Sequence, residues 1–127
     1  MSEDVTVYEL VGGQDFFDAL VDHFYDTVAS DPVLLRLYPD QHDLGPARQR
    51  LALFLGQYWG GPMTYSEQRG HPRLRMRHNP FVIGEAERDH WLAAMRSAVG
   101  AMDPPAPARD ALLDYFEMAA EAMRNQA

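Results

Sequence analysis

The chain has 127 residues, 46% of them apolar and 24% charged, which is the balance of one folded domain and fits neither a disordered nor a fibrous class. Cysteine is absent, so disulfides, a thiolate nucleophile and every thiolate-ligated metal centre are excluded. A net charge of −8 argues against nucleic acid or anionic lipid as a partner. No apolar run approaches the roughly 20 residues that cross a bilayer, and a cytoplasmic protein without a membrane span is expected.

Thr6-Val7-Tyr8-Glu9 has capping-box spacing, and Gly12-Gly13 follows within two turns, so a very short first helix is expected. Phe17, Leu20, Val21, Phe24 and Val28 then make an apolar stripe at helical spacing, with Asp18, Asp22 and Asp26 opposite and Tyr25 flanking it. Asp31-Pro32 reads as an N-cap followed by proline at the first helical position, opening a short helix that Pro39 stops just after Tyr38. Leu44, Ala47, Leu51, Phe54 and Tyr58 recur at steps of three and four, and Gly60-Gly61-Pro62 ends that helix. From Pro62 to Pro80 no long period survives. Beyond Gly84, Trp91, Leu92, Met95, Val99 and Met102 form another stripe, broken by Asp103-Pro104-Pro105, and Leu112, Phe116, Ala119, Ala120 and Met123 form the last. Without an alternating strand pattern or an internal repeat, the class is all-α and the chain is one domain over 1–127. A domain of this size buries about two-thirds of the surface of its unfolded chain, enough to enclose a cofactor.

The segment without a period holds the unusual chemistry. Between Gln68 and Gly84 stand four arginines and no acid, a local charge of +4 that leaves −12 for the remainder. A stretch of that length without regular structure in a small domain is usually functional or disordered, and the arginines and aromatic flanks favour function. One imidazole, His78, closes the cationic run. Haem is an anionic, apolar-bodied partner of the kind such a segment suits, because a histidine holds its iron while cations meet its propionates. The competing reading is a solvated basic loop with a surface histidine, and the residues alone stop at an all-α domain with a basic, histidine-containing anion loop. His23, His42, His71 and His90 have neither the helical pairing of zinc ligands nor a carboxylate cluster, and read as surface groups. There is no glycine-rich phosphate loop and no nucleophile elbow, and Ser66 has no base at a useful spacing.

Several segments resemble the truncated haemoglobins, short globins with a two-over-two helical sandwich, and specifically their second, O-type group. They are Phe24-Tyr25, Leu37-Tyr38-Pro39, Gln57-Tyr58-Trp59-Gly60-Gly61-Pro62 continuing from Tyr65 through Arg77-His78, and Glu87-Arg88-Asp89-His90-Trp91-Leu92. The resemblance covers nearly the whole chain, and its long central run is far more specific than a short motif. It implies haem b held by His78 as the proximal metal ligand, with the other ring nitrogen donating to a backbone carbonyl. It further implies that Tyr25, Tyr38 and Trp91 surround a bound gas, each combining aromatic bulk with an O–H or N–H donor. Ala47 falls where many globins carry a distal histidine, with Leu51 one turn further on. Leu51, Phe54, Met76, Phe81 and Met95 are then expected to line the macrocycle, and Arg50 and Arg77 to meet the propionates, with Tyr65 and Arg75 behind them. One residue more than the pattern falls around Gln41-His42, which leaves the start of the following helix open.

The ligands implied are dioxygen, carbon monoxide and nitric oxide, with a reductase and a second copy of the chain as further partners. The activity implied is gas binding at a five-coordinate iron with redox turnover, by nitric oxide oxidation or peroxide turnover. A non-catalytic oxygen store or sensor needs the same pocket and stands as the alternative. A haem-free helical binding module would need His78 and the three aromatics to serve packing alone.

Overall fold

The computed structural model describes residues 5–38, 41–73, 78 and 81–125. Among them run seven helices and no strand: α1 (Val7–Leu10), α2 (Gln14–Ala29), α3 (Pro32–Leu35), α4 (Gly45–Tyr58), α5 (Thr64–Arg69), α6 (Glu85–Met102) and α7 (Ala106–Met123). Helix α2 packs on α4 to one side and on α6 to the other, and α6 packs in turn on α7. Two layers result, α2 with α4 and α6 with α7. Phe17, Leu20, Val21, Phe24 and Val28, the predicted stripe of α2, are all buried at their junction, together with Met95 and Val99 of α6 and Leu112 and Phe116 of α7. Each such side chain contributes about 1.5–3 kcal/mol by leaving water.

Local chemistry sets the ends of these helices. The Thr6 hydroxyl accepts from the Glu9 N–H at 3.1 Å while the Glu9 carboxylate returns to the Thr6 backbone, so α1 forms as its capping box predicts. The Tyr8 N–H then donates to the Trp59 carbonyl at 3.0 Å, pinning α1 to the end of α4. Gly60 is required at that crossing on two counts. Its φ is +112°, and a Cβ there would stand 2.6 Å from the Thr6 methyl.

Two expectations need correction. Helix α3 is capped by Asp31, whose carboxylate accepts from the Val33 N–H at 2.9 Å, but it ends at Leu35 and does not reach Tyr38. The N–H groups of Leu37 and Tyr38 instead bond to the carbonyls three residues back, at 3.0 and 3.1 Å, so the chain leaves the helix through tight turns that present both side chains to the interior. Pro39, the expected stop, lies outside the described residues. The segment after Pro62 does contain regular structure, the six-residue helix α5. Six residues are too few to show a period, and a side-chain clamp from α4 holds them: the Gln57 carboxamide accepts from the Ser66 N–H at 2.9 Å and donates to its hydroxyl at 2.7 Å. Tyr65 is buried as a result.

Beyond α7, Asn125 folds back on the segment that follows His78. Its side chain accepts from the Ile83 N–H at 2.9 Å and donates to the Phe81 carbonyl at 2.8 Å, and its own N–H donates to the Ile83 carbonyl at 2.8 Å. Among the described residues, no helix is long and apolar enough to cross a membrane, and no cluster of His, Asp and Glu could hold a metal ion by itself.

Candidate functional site

The layers do not close on one another completely. Between them lies a cavity of about 480 Å³ whose wall draws on α2, the α3–α4 connection, α4, α5, His78, Phe81, Ile83, α6 and α7. That volume falls within the range of about 300–1,000 Å³ typical of cofactor sites.

Part of the wall carries side-chain donors on aromatic bodies: Tyr25 from α2, Tyr38 from the turn after α3, and Trp91 from α6. Each is wedged by other rings. Tyr25 meets Phe24 edge-on at 5.0 Å and Tyr38 edge-on at 5.5 Å, while Trp91 lies between Phe24 at 5.5 Å and Phe116 at 5.8 Å. Burial pushes the Tyr25 phenol above its ordinary value, although a hydrogen bond with Tyr38 and the charges of Arg50 and Arg48 pull the other way. The Tyr38 phenol is raised well above its ordinary value, by burial first and then by the charge and hydrogen bond of Tyr25. Both hydroxyls therefore keep their protons at neutral pH, and a guest competes with their mutual hydrogen bond for them.

His78, Phe81 and Ile83 supply another part of the wall. His78 is half-buried, with its ring 6.3 Å from that of Phe81. The Asn125 bonds hold Phe81 and Ile83 in place. Arg50 and Arg69, both exposed, reach the cavity from α4 and α5, and Tyr65 stands buried beside them with its ring 5.6 Å from Phe54.

A buried carboxylate completes the wall. Glu87 receives the Gly84 N–H at 2.8 Å and forms an ion pair with Arg36 at the end of α3. The Gly84 N–H, and then the Arg36 guanidinium, hold the Glu87 carboxyl below its ordinary range. A buried charge is tolerated only when paired in this way. The pairing fixes the start of α6, one turn ahead of Trp91, against the end of α3, two residues ahead of Tyr38. Neighbouring Arg88 also lines the cavity, but it is engaged by Asp89 at 2.9 Å and by Glu121 of α7 at 2.5 Å.

Most of the residues expected at a site from the sequence come together on this one wall: Tyr25, Tyr38, Ala47, Arg50, Leu51, Phe54, Tyr65, His78, Phe81 and Trp91. Met95 does not. It is fully buried one turn beyond Trp91, where α6 has left the cavity and packs into the core. Arg75, Met76 and Arg77 lie outside the described residues. Arg69 was signalled only as one of the four arginines of the cationic run, while Glu87, Tyr115 and Asn125 gave no site signal in the sequence, and only for Glu87 was one available, its position three residues after the N-cap Gly84.

The donor set fits haem. An imidazole stands on the wall of a largely apolar cavity of about 480 Å³, with phenol and indole donors and guanidinium groups lining the same space. Comparison with known proteins points the same way. A family model described as bacterial-like globin matches residues 6–125. The chain is 40% identical over 119 residues to the group 2 truncated haemoglobin YjbI of Bacillus subtilis, covering 94% of this chain and 88% of that protein. A thermostable haemoglobin of the actinobacterium Thermobifida fusca superposes with a TM-score of 0.92 at 57% identity, over 95% of this chain and 98% of that one. The haemoglobin of the thermophilic phototroph Chloroflexus aurantiacus superposes with a TM-score of 0.93 at 51% identity, over 97% and 100%.

Proposed function

We propose a function for a chain that belongs to the bacterial-like globins and, within them, to the two-over-two truncated haemoglobins of the second group: retention of dioxygen at a haem b held by His78, coupled to redox turnover in the cytoplasm. The observation that carries this reading is the meeting of His78 with Tyr25, Tyr38 and Trp91 on one apolar cavity of about 480 Å³. Haem bound through a single histidine supplies an iron with an open position for dioxygen, carbon monoxide and nitric oxide.

The chain's own residues decide what stays. Leu51, Phe54 and Phe81 keep water from the cavity, and the three donors face a guest that carries partial negative charge. A neutral hydrogen bond is worth roughly 0.5–1.5 kcal/mol net, so two or three slow the release of dioxygen by about one to three orders of magnitude. Ala47 offers no donor of its own. Retention of that strength suits redox chemistry better than delivery, with nitric oxide oxidation or peroxide turnover as the reaction and a separate reductase as the electron source. Arg50 and Arg69, with Tyr65 behind them, meet the propionates where the cavity opens.

The test is spectroscopic and then kinetic. Purified protein given haem should show a Soret band and a five-coordinate ferrous spectrum, and His78→Ala should lose tight haem retention. A His78→Ala protein that keeps the parent's ferrous spectrum would show that another residue holds the iron. Nitric oxide or peroxide consumption with a reductase, absent in the reductase-free control, supports the redox reaction; dioxygen retention without turnover leaves storage or sensing.

A further inference from the structure

Arg48 stands in the first turn of α4, between the cavity residues Ala47 and Leu51, and is not itself part of the wall. Its guanidinium makes three hydrogen bonds to α2. Nη1 donates to the Asp22 carbonyl and to the Asp22 carboxylate, each at 3.2 Å, and Nη2 donates to the Asp26 carboxylate at 3.1 Å. The same guanidinium carbon lies 5.7 Å from the centroid of the Tyr25 ring, within the range of a cation–π contact. Asp22 and Asp26 are one turn apart and Tyr25 lies between them in sequence, so one side chain spans the stretch of α2 that carries the phenol.

The ion pairs themselves contribute little to stability. The carboxylates of Asp22 and Asp26 are 65% and 73% exposed, and water screens pairs of that kind. What matters is where they hold the guanidinium, which is only 28% exposed. Phe24 and Tyr38 fix the Tyr25 ring by edge contacts, and Arg48 adds a cation. A cation near an aromatic ring draws electron density from it and makes a phenol O–H the stronger donor. The charge of Arg48 accordingly favours ionisation of Tyr25, in the same sense as that of Arg50.

We propose that Arg48 is a positioning residue for Tyr25: it straps the first turn of α4 to the Tyr25-bearing turn of α2 and sets a cation against the phenol ring, and so tunes how strongly the Tyr25 hydroxyl retains a gas in the cavity. The inference rests on the haem reading above for its gas, and on the three hydrogen bonds and the ring contact for its geometry. It also gives α4 a second influence on the site, because the strapped turn carries Ala47.

The experiment uses haem-loaded protein carrying Arg48→Met, which keeps the length of the side chain and removes charge and donors. Each substitution is also made in the Tyr25→Phe background. Arg48→Met should release dioxygen about three- to tenfold faster than the parent and raise the C–O stretching frequency of the carbon monoxide complex, as a weaker positive field at the ligand requires. Arg48→Lys, which restores a cation without the fork, should recover part of the loss. In the Tyr25→Phe background Arg48→Met should change the rate by less than about twofold, because the route through Tyr25 is gone. Equal acceleration in both backgrounds, or no acceleration in the parent, overturns the proposal. Amide exchange in the first turn of α4 reads the strap whether or not haem is present. It should quicken in Arg48→Met, and unchanged exchange overturns the strap. A parent without a Soret band would sink the haem reading and leave the exchange result to stand or fall by itself.

Discussion

Trp91 holds a donor that has no acceptor role, on a ring wedged between Phe24 and Phe116, so packing aims its N–H. Trp91→Phe keeps an aromatic body and removes the donor. Dioxygen release should then quicken several-fold to about tenfold, the size expected for one lost hydrogen bond of roughly 1–1.5 kcal/mol. Carbon monoxide, less polar when bound, should respond less. Stopped-flow release of both gases separates the causes: equal acceleration means that the smaller ring has opened the cavity, and no acceleration leaves Tyr25 and Tyr38 as the donors. Residues of this kind were legible in the sequence through the family resemblance, since an aromatic side chain alone reads as core packing. Glu87 was not, because its partner Arg36 lies 51 positions away, and Arg48 was not, because Asp22 and Asp26 lie 26 and 22 positions away. A local pattern announces a cap or a stripe; it says nothing of which distant charge will arrive beside it.

At the scale of elements, α3 is the piece whose hold on its neighbours is most open to test. It is only four residues long, too short to be stable alone, yet it sets where Tyr38 enters the cavity. Two contacts with α6 hold it: Arg36 with Glu87 at one end, and Asp31 with His90 Nδ1 at 2.8 Å at the other. The hydrogen bond from His90, with the Val33 N–H behind it, keeps the Asp31 carboxyl below its usual value of 3.8. A carboxyl with a depressed folded value adds stability that is present above the ordinary value and is lost as pH falls through the depressed one. The parent should therefore lose part of its stability below about pH 4, a part that Asp31→Asn, which keeps the cap, no longer has to lose. Asp31→Ala should cost about 1 kcal/mol at pH 7 as well, since the cap goes with the charge. Urea midpoints at pH 7 and pH 3 for the three proteins check both outcomes; parallel acid losses in parent and Asp31→Asn would mean that the Asp31 carboxylate is not the source of the loss. The existence of α3 was readable from Asp31-Pro32, but its end was not, because the turns at Leu37 and Tyr38 answer to burial in the cavity and not to any local stop. In the same way α5 was hidden in a stretch without a period, since Gln57 and not its own six residues holds it.

For the molecule as a whole the cavity is also a thermodynamic fact. Walls contributed by nearly every helix lose their contacts when nothing fills the space, so bound haem should stabilise the fold by mass action, by about 2.7 kcal/mol at a hundredfold excess over Kd. His78→Ala should melt as the haem-free parent does, and a melting temperature that ignores added haem in the parent would mean that the cavity is not its site. The helices were legible from the apolar stripes and their two-layer arrangement only from the family resemblance, and the cavity was not legible from periodicity, because it is defined by where separate faces fail to meet.

Phenols in that wall give the whole fold an alkaline limit. Burial, and then the charge of Tyr58 whose ring lies 4.3 Å away, pushes the Tyr115 phenol up to about 12, and Tyr25 and Tyr38 are raised as well. A group whose folded value is raised contributes stability that is fully present below its ordinary value of 10.0 and is lost as pH climbs through the raised one. Chemical unfolding followed from pH 9 to 12 should thus show a steady fall in stability, and Tyr115→Phe, which removes one titrating phenol while keeping its ring in the cluster with Tyr58 and Trp59, should flatten part of that fall. At pH 7 the same substitution should be nearly silent, because the phenol is neutral in both the folded and the unfolded chain. An alkaline slope identical in parent and Tyr115→Phe would mean that the phenol meets water in the folded state and that this side of the cavity stands open.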